Sequence, residues 1–285
     1  MDSTKETRVA CYSAALQRCL DAFSQLDDDD WQCRIRSIPW SAKDYLGHLV
    51  TNQEMEILPM TSQNIAGQAV DIPGLRSRTD INEYNQRCVD SVRDLSAQEL
   101  LPRFQAAFQT HIDMLKGLSE EDLQRPGHNP GLSRPATIAH MFSMGFLHLP
   151  LHYQDIRRII RRRRHLPHWM EVSPPDEVRE ALGEAFAIMP HFYWPERGGD
   201  LRATYLFDLE GEGGGQWTLA IAEGQCTAEE GSPDKADIVF HTKPAYWLDL
   251  QIKDLNPLWA VLTRRLSLKG NRGLALRLEK LFQIS

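Results

Sequence analysis

The sequence predicts a multi-domain chain of the α plus α+β class, with a helical first part and a strand-rich second part. Three observations carry that prediction. Long segments with helical periodicity recur up to about residue 165. From Asp200 the pattern changes to period two, with Leu201, Ala203, Tyr205 and Phe207 on one face. Between these regions lie the proline-bearing stretches Leu166-Pro167-His168-Trp169 and Ser173-Pro174-Pro175, which read as a linker.

The elements follow in order. Residues 5–25 place Val9, Tyr12, Leu16, Leu20 and Phe23 at helical spacing. The acidic run Asp27 to Asp30 breaks that pattern and reads as a solvated loop; the alternating ligands and glycine of a calcium loop are missing. Ser41, with Asp44 three residues on, forms a variant capping box and starts a second helix running toward Met60. Tyr45, His48, Leu49, Asn52 and Met55 share its face. Residues 61–80 form a Gly- and Pro-containing loop. Periodicity returns from Ile81 to Leu95, and Ser96 with Glu99 restarts a helix to about Leu118, with Pro102 in its first turn. Ser119 to Asp122 is a short capped turn. After a loop at 126–131, Ser133 or Arg134 opens the next helix, with Pro135 near its first position.

In the second part, a short helix covers Asp176 to Met189 and ends at the aromatic stretch His191 to Pro195. The first strand lies at 201–207, and Gly211 to Gly215 is a hairpin tip. That cluster lacks the lysine and Ser/Thr of a phosphate loop. Strands are expected at 216–222, 226–229, 236–241 and 266–270, with helices at 244–252, 257–263 and 274–282.

Composition narrows the function classes. Of 285 residues, 42% are hydrophobic and 25% charged, as in a globular protein with a sizeable core. The net charge of −7 argues against general nucleic-acid binding. No apolar run approaches the ~20 residues needed to cross a bilayer. The charged, polar N-terminus has no signal-peptide core, so a cytoplasmic location is expected. The five cysteines, Cys11, Cys19, Cys33, Cys88 and Cys226, never form a C-x-x-C pair and read as reduced thiols.

The chemistry centres on residues 136–158, where His148 and His152 stand one turn apart on one helix face. Pro150 between them removes a helix hydrogen bond and favours a kink. Two imidazoles at that spacing need one more ligand to make the protein half of a catalytic zinc site, and His48 is the best candidate. Imidazole ligands favour zinc, with nickel, iron and manganese left open. Asp155, three residues after His152, and Asp44, four before His48, are placed to orient the ligand rings or to be plain surface carboxylates. Asn52 and Tyr84 are weaker candidates for lining the pocket. Arg157, Arg158 and Arg161 to Arg164 crowd the helix end, either as a dipole-matched solvated terminus or as an anion-binding rim. In the functional version Asp155 and Arg158 act at the chemistry, and Arg157 and Arg161 hold a cofactor. His140, eight residues before His148, lies near the same face but two turns away and reads as a core or surface histidine, and the remaining histidines, His111 among them, have no spacing that suggests a shared metal.

Two stretches, Trp40-Ser41-Ala42-Lys43-Asp44-Tyr45-Leu46-Gly47-His48-Leu49 and His152-Tyr153-Gln154-Asp155-Ile156-Arg157-Arg158, are similar to motifs of the DinB-like four-helix metal proteins. More specifically they resemble the N-terminal domain of mycothiol-dependent maleylpyruvate isomerases. The resemblance implies a four-helix bundle binding a divalent metal through His48, His152 and the residue four before the latter. In the isomerases that residue is glutamate; here it is His148, giving a neutral three-histidine set. Further on, Phe207-Asp208-Leu209-Glu210-Gly211, Gly215-Gln216-Trp217-Thr218-Leu219, Ala236-Asp237-Ile238-Val239-Phe240, Asn256-Pro257 and Leu266 to Asn271 resemble the sterol carrier protein-like domain. That resemblance implies a mixed sheet covered by helices around an apolar tunnel. The expected division is 1–168 for the metal-binding bundle, 169–199 for a linker with a short helix, and 200–285 for the sterol carrier protein-like domain.

Together these readings imply a zinc-dependent enzyme acting on a small carbonyl- or carboxylate-bearing substrate. It would be an isomerase or thiol transferase using mycothiol or another low-molecular-weight thiol. Two alternatives stand beside it: an apolar-ligand or lipid-binding protein with a structural metal, and a zinc-dependent hydrolase or cyclase of a biosynthetic pathway.

Overall fold

The computed structural model describes residues 4–282, which fall into two compact units that part between Trp169 and Met170. The class is the expected one, helical in the first unit and α+β in the second.

The first unit contains α1 (Lys5–Phe23), α2 (Ala42–Asn52), α3 (Leu58–Ile65), α4 (Ile81–Ser91), α5 (Ala97–Lys116) and α6 (Ile138–Ile160). Helices α1 and α2 each pack against both α5 and α6, which makes a four-helix bundle, and α4 lies against α2. Aromatic side chains fill the bundle. Phe23 contacts Trp31, Phe104 and Tyr153 with ring centroids 5.7–6.2 Å apart, and all three partners and Phe23 itself are buried. Capping boxes start α2 at Ser41 and Asp44, α5 at Ser96 and Glu99, and the short helix Glu120–Gln124 at Ser119 and Asp122. In each, the serine hydroxyl and the acid three residues on satisfy amide groups that the first helical turn leaves unpaired.

Three local features differ from expectation. The second helix does not stop near Met60: a π-helical turn at Gln53–Ile57 joins α2 to α3, which continues to Ile65. Helix α6 starts at Ile138 rather than at Ser133 or Arg134. Proline disfavours a helical residue before it, and after Pro135 the pair Ala136–Thr137 runs antiparallel to Pro126–Gly127. The Ile138 N–H accordingly donates to the Arg125 carbonyl at 3.0 Å. The acidic run is not a solvated loop. Asp27 caps the short helix Asp28–Trp31, and Asp30, 1% exposed, accepts from Nε of Arg163 at 3.2 Å and of Arg164 at 2.6 Å. Burial raises the Asp30 carboxyl, but the hydrogen bonds from Arg164, the Asp27 amide and Arg163 outweigh it and hold it below its ordinary range.

In the second unit α7 (Pro175–Ile188) precedes β1 (Ala203–Leu209), β2 (Gly215–Ala222), β3 (Gln225–Glu230) and β4 (Ile238–Thr242). Then come α8 (Pro244–Gln251), α9 (Pro257–Leu262), β5 (Leu266–Gly270) and α10 (Arg272–Phe282). The sheet order is β3-β2-β1-β4-β5, antiparallel except for the parallel pair β1 and β4. Alternate residues of β1 are buried, as the period-two pattern requires. Residues 170–199 belong to this unit. Val178, Leu182 and Phe186 of α7, and Tyr193 beyond it, join the core that the sheet forms with Phe207, Trp217 and Phe240. The Phe186 ring stacks on Trp217 at 4.9 Å.

No disulfide joins the five cysteines, four of which are buried. Among the described residues, no helix is long and apolar enough to cross a membrane.

Candidate metal centre

Helix α2 begins at a well-satisfied cap. The Asp44 amide donates to Ser41 Oγ at 3.1 Å, and the Ser41 amide donates to Asp44 Oδ2 at 2.9 Å. Arg34 also reaches Asp44 Oδ2 at 3.1 Å. Asp44 is therefore occupied in starting the helix and does not orient His48. One turn further along α2, His48 is buried, with its ring 5.0 Å from the Trp40 ring.

Helix α6 supplies the other two imidazoles. Its first turn is closed by the Thr137 amide donating to Nδ1 of His140 at 3.1 Å, which fixes His140 as a capping residue. The helix runs unbroken through Pro150. His148 and His152 keep the one-turn relation, their rings nearly parallel at 19° and 5.4 Å apart. His48 faces them edge-on, 5.9 Å from His148 and 4.8 Å from His152. One ring nitrogen from each of the three lies within 4.8 Å of the others.

The environment keeps the His48 and His148 rings in the form that offers a lone pair. Burial, and then the neighbouring His152 and His148, push His48 well below its ordinary value. Burial and His152 push His148 down to about 3. A neutral imidazole is what a metal ion requires. Nδ1 of His48 is buried without a hydrogen-bond partner, a cost that a bound ion or a ring rotation toward one removes. The donor set thus fits a divalent ion.

Asp155 orients the third ring. Nδ1–H of His152 donates to Asp155 Oδ2 at 2.9 Å, which leaves the Nε2 lone pair for another partner. The Tyr45 ring lies 5.4 Å from His152. Its phenol is pushed up by burial and then by the Asp155 charge, with Arg158 acting in the opposite sense. Asp155, Tyr45 and Arg158 therefore form one polar group beside His152.

The other arginines stand differently. Nε of Arg157 donates to the Leu166 carbonyl at 3.0 Å, tying down the chain that follows the helix. Arg161 caps the exposed helix end, and Arg163 and Arg164 pair with the Asp27 to Asp30 run. The rim of six arginines expected for an anion is thus largely engaged elsewhere.

Asn52 and Tyr84, the weaker lining candidates, both contact the π-turn. Asn52 Nδ2 donates to Glu56 Oε2 at 2.7 Å, and Tyr84 Oη donates to the Met55 carbonyl at 3.2 Å. Glu56 itself escaped the sequence reading; burial pushes its carboxyl up to about 7. His111 is a core residue with both ring nitrogens engaged, Nδ1 with Tyr12 Oη at 3.0 Å and Nε2 with Thr61 Oγ1 at 3.2 Å. Trp40 and Tyr45, which flank the triad, carried a signal of their own, standing eight and three residues before His48 around the start of α2.

Comparison with known proteins places these features. The model of the DinB superfamily matches residues 12–156, and that of the SCP-2 sterol transfer family matches residues 195–283. Hydroxysteroid dehydrogenase-like protein 2 of Rattus norvegicus is 33% identical over 111 residues, which is 39% of this chain and 21% of that protein. The chain therefore spans about a fifth of the length of that relative. Among solved structures, a mycothiol-dependent maleylpyruvate isomerase aligns with a TM-score of 0.56 at 12% identity, covering 87% of this chain and 88% of the other. The sibling lethal factor precursor DfsB aligns with a TM-score of 0.50 at 18% identity, covering 58% of this chain and 100% of the other. At such identities the likeness is one of fold.

Proposed function

The chain belongs to the DinB superfamily through residues 12–156, and from that premise we propose that it is a metal-dependent enzyme whose ion is held by His48, His148 and His152. The observation that carries this reading is the convergence of three ring nitrogens, from two helices, to within 4.8 Å. A divalent ion there, zinc by the preference of imidazole ligands, supplies a Lewis acid for a carbonyl or carboxylate oxygen or for a thiolate.

The chain's own residues do the rest. Asp155 fixes the tautomer and orientation of His152. Tyr45 stays protonated at neutral pH and so keeps a hydrogen-bond donor beside the triad. Arg158 adds a cation there for a substrate carboxylate. The rings of Trp40 and Tyr45 restrict water around His48 and His152. The substrate class is a small molecule bearing a carbonyl and a carboxylate, and the reaction is isomerisation or thiol transfer with a low-molecular-weight thiol. The fold shared with a mycothiol-dependent maleylpyruvate isomerase supports that choice. Glutamate is replaced by His148 in the ligand set, which makes the site one negative charge poorer and favours an anionic substrate or thiolate.

A second reading rests on the match of residues 195–283 to the SCP-2 sterol transfer family. In it, the second unit binds an apolar ligand and the metal of the first unit is structural.

Elemental analysis of the purified chain tests the proposal. About one equivalent of a divalent transition metal is expected per chain, and His48→Ala, His148→Ala and His152→Ala should each lose it. Retention in all three variants refutes the ligand set. Turnover of maleylpyruvate with mycothiol, abolished by a chelator and restored by zinc, supports the isomerase reading. Co-purified lipid without any thiol-dependent turnover favours the second.

A further inference from the structure

Helix α9 carries its large apolar side chains on the outside. Leu258 is 71% exposed, Trp259 57% and Leu262 76%, and Val261 beside them is also exposed. Only Ala260, fully buried, ties the helix to the core of its unit. Scattered exposed leucines need no explanation, but four large apolar neighbours within one short helix mark an interaction surface.

The surrounding charge indicates the kind of partner. Residues 253–280 contain seven Lys and Arg and two Asp and Glu, a net +5, in a chain whose total is −7; the remainder therefore carries −12. The apolar surface lies within a basic stretch of an acidic protein, and the denser arginine run at 157–164 is in part paired with the carboxylates of Asp29 and Asp30. Arg264 and Arg265 follow the helix directly, and both are exposed, as are Lys269 and Arg272.

The backbone at that point adds an independent observation. Arg265 N–H donates to the Ala260 carbonyl at 2.8 Å, and Arg264 N–H donates to the Val261 carbonyl at 3.2 Å. This pair of bonds is a Schellman closure, in which the residue after the cap adopts a left-handed conformation and is usually glycine. Here it is Arg264, at φ +59°. A long cation occupies a position where glycine would fit without strain.

We propose that α9 and the arginine turn after it form a docking surface for an anionic lipid bilayer. Leu258, Trp259 and Leu262 enter the boundary between headgroups and acyl chains, and Arg264 and Arg265 meet the headgroup phosphates and carboxylates. Aliphatic and indole side chains bordered by arginines are the composition that lies in that interface. A second copy of the chain fits less well, because a two-fold contact would bring the same cations against each other. The inference is independent of the metal centre.

Flotation of the full-length chain with vesicles tests it. The probes are phosphatidylcholine vesicles containing about 30% phosphatidylserine, and vesicles of phosphatidylcholine alone. The expected result is flotation with the anionic vesicles, weakened as salt is raised from about 50 to about 300 mM. The combined variant Leu258→Ser, Leu262→Ser should lose it. Arg264→Gly relieves the left-handed strain, so its unfolding temperature should hold or rise while its partitioning falls about fivefold. His148→Ala should float like the parent, which separates this result from the fate of the metal centre. The proposal is overturned if the parent chain does not float with anionic vesicles, or if both surface variants float as it does. Self-association or capture of an acidic protein through α9, without vesicle binding, overturns it as well.

Discussion

Asp155 accepts a hydrogen bond from Nδ1–H of His152 at 2.9 Å, and this contact sets which nitrogen of that ring faces the other two histidines. Asp155→Asn should leave the helical content unchanged and weaken metal affinity about 10- to 100-fold in a competition titration with a chelating dye; unchanged affinity would remove Asp155 from the site. Glu56 is the opposite kind of carboxyl. Burial raises it from an ordinary 4.5 to about 7, so the folded protein holds a proton there that the unfolded chain has already released. Its contribution to stability is complete below pH 4.5 and is lost as pH rises through 7. Glu56→Gln keeps an acceptor for Asn52 and removes the titration. It should therefore gain about 1–3 kcal/mol at pH 8 relative to its difference at pH 5, measured by urea unfolding. The histidine triad was legible from spacing and motif, because ligand geometry ties residue type to helix phase. Glu56 was not, since its burial depends on the π-turn and on α4, which no local pattern announces.

Among the elements, α6 does most to position the site, and its packing depends on a missing side chain. A Cβ at Gly145 would stand 2.5 Å from Tyr12 Oη and 2.7 Å from His111 Nδ1. These two atoms bond to each other, and His111 also stacks on Phe142 at 4.5 Å. Gly145→Ala should accordingly cost about 1–3 kcal/mol, in spite of alanine's better helix propensity, because α6 would have to move away from α1 and α5. An unchanged unfolding midpoint would show that the bundle relaxes around it. The capped starts at Ser41, Ser96 and Ser119 could be read directly, because a serine and an acid three residues apart satisfy amides within a single turn. The start of α6 could not. It is fixed by strand pairing with 126–127, some ten residues away, and the pairing of Asp30 with Arg163 and Arg164 spans over 130 residues. Both runs looked solvated because each was read without its partner.

At the scale of the molecule, the described residues form two cores, one of bundle aromatics and one around the five-stranded sheet. Chelation should therefore lower the unfolding temperature of one calorimetric transition only. Phe207→Ala, in the sheet core, should lower the other, at a cost of about 3–5 kcal/mol. A single transition displaced by both treatments would show that the cores unfold together. The change from helical to alternating periodicity near residue 200 made the two-part organisation readable. The place of α7 in the second core was not readable, because amphipathicity states that a helix has a buried face and leaves open what covers it.

The proposed metal site also bears on the unfolded chain. His48 and His148 are 100 residues apart in sequence. An ion shared between them would tie α2 to α6 much as a disulfide does, closing a loop of that length. Cross-links of this span remove about 4–5 kcal/mol of chain entropy from the unfolded ensemble. In the cell, loading the site would then act as a reversible staple, and a metal-starved chain would be the version most open to proteolysis and turnover.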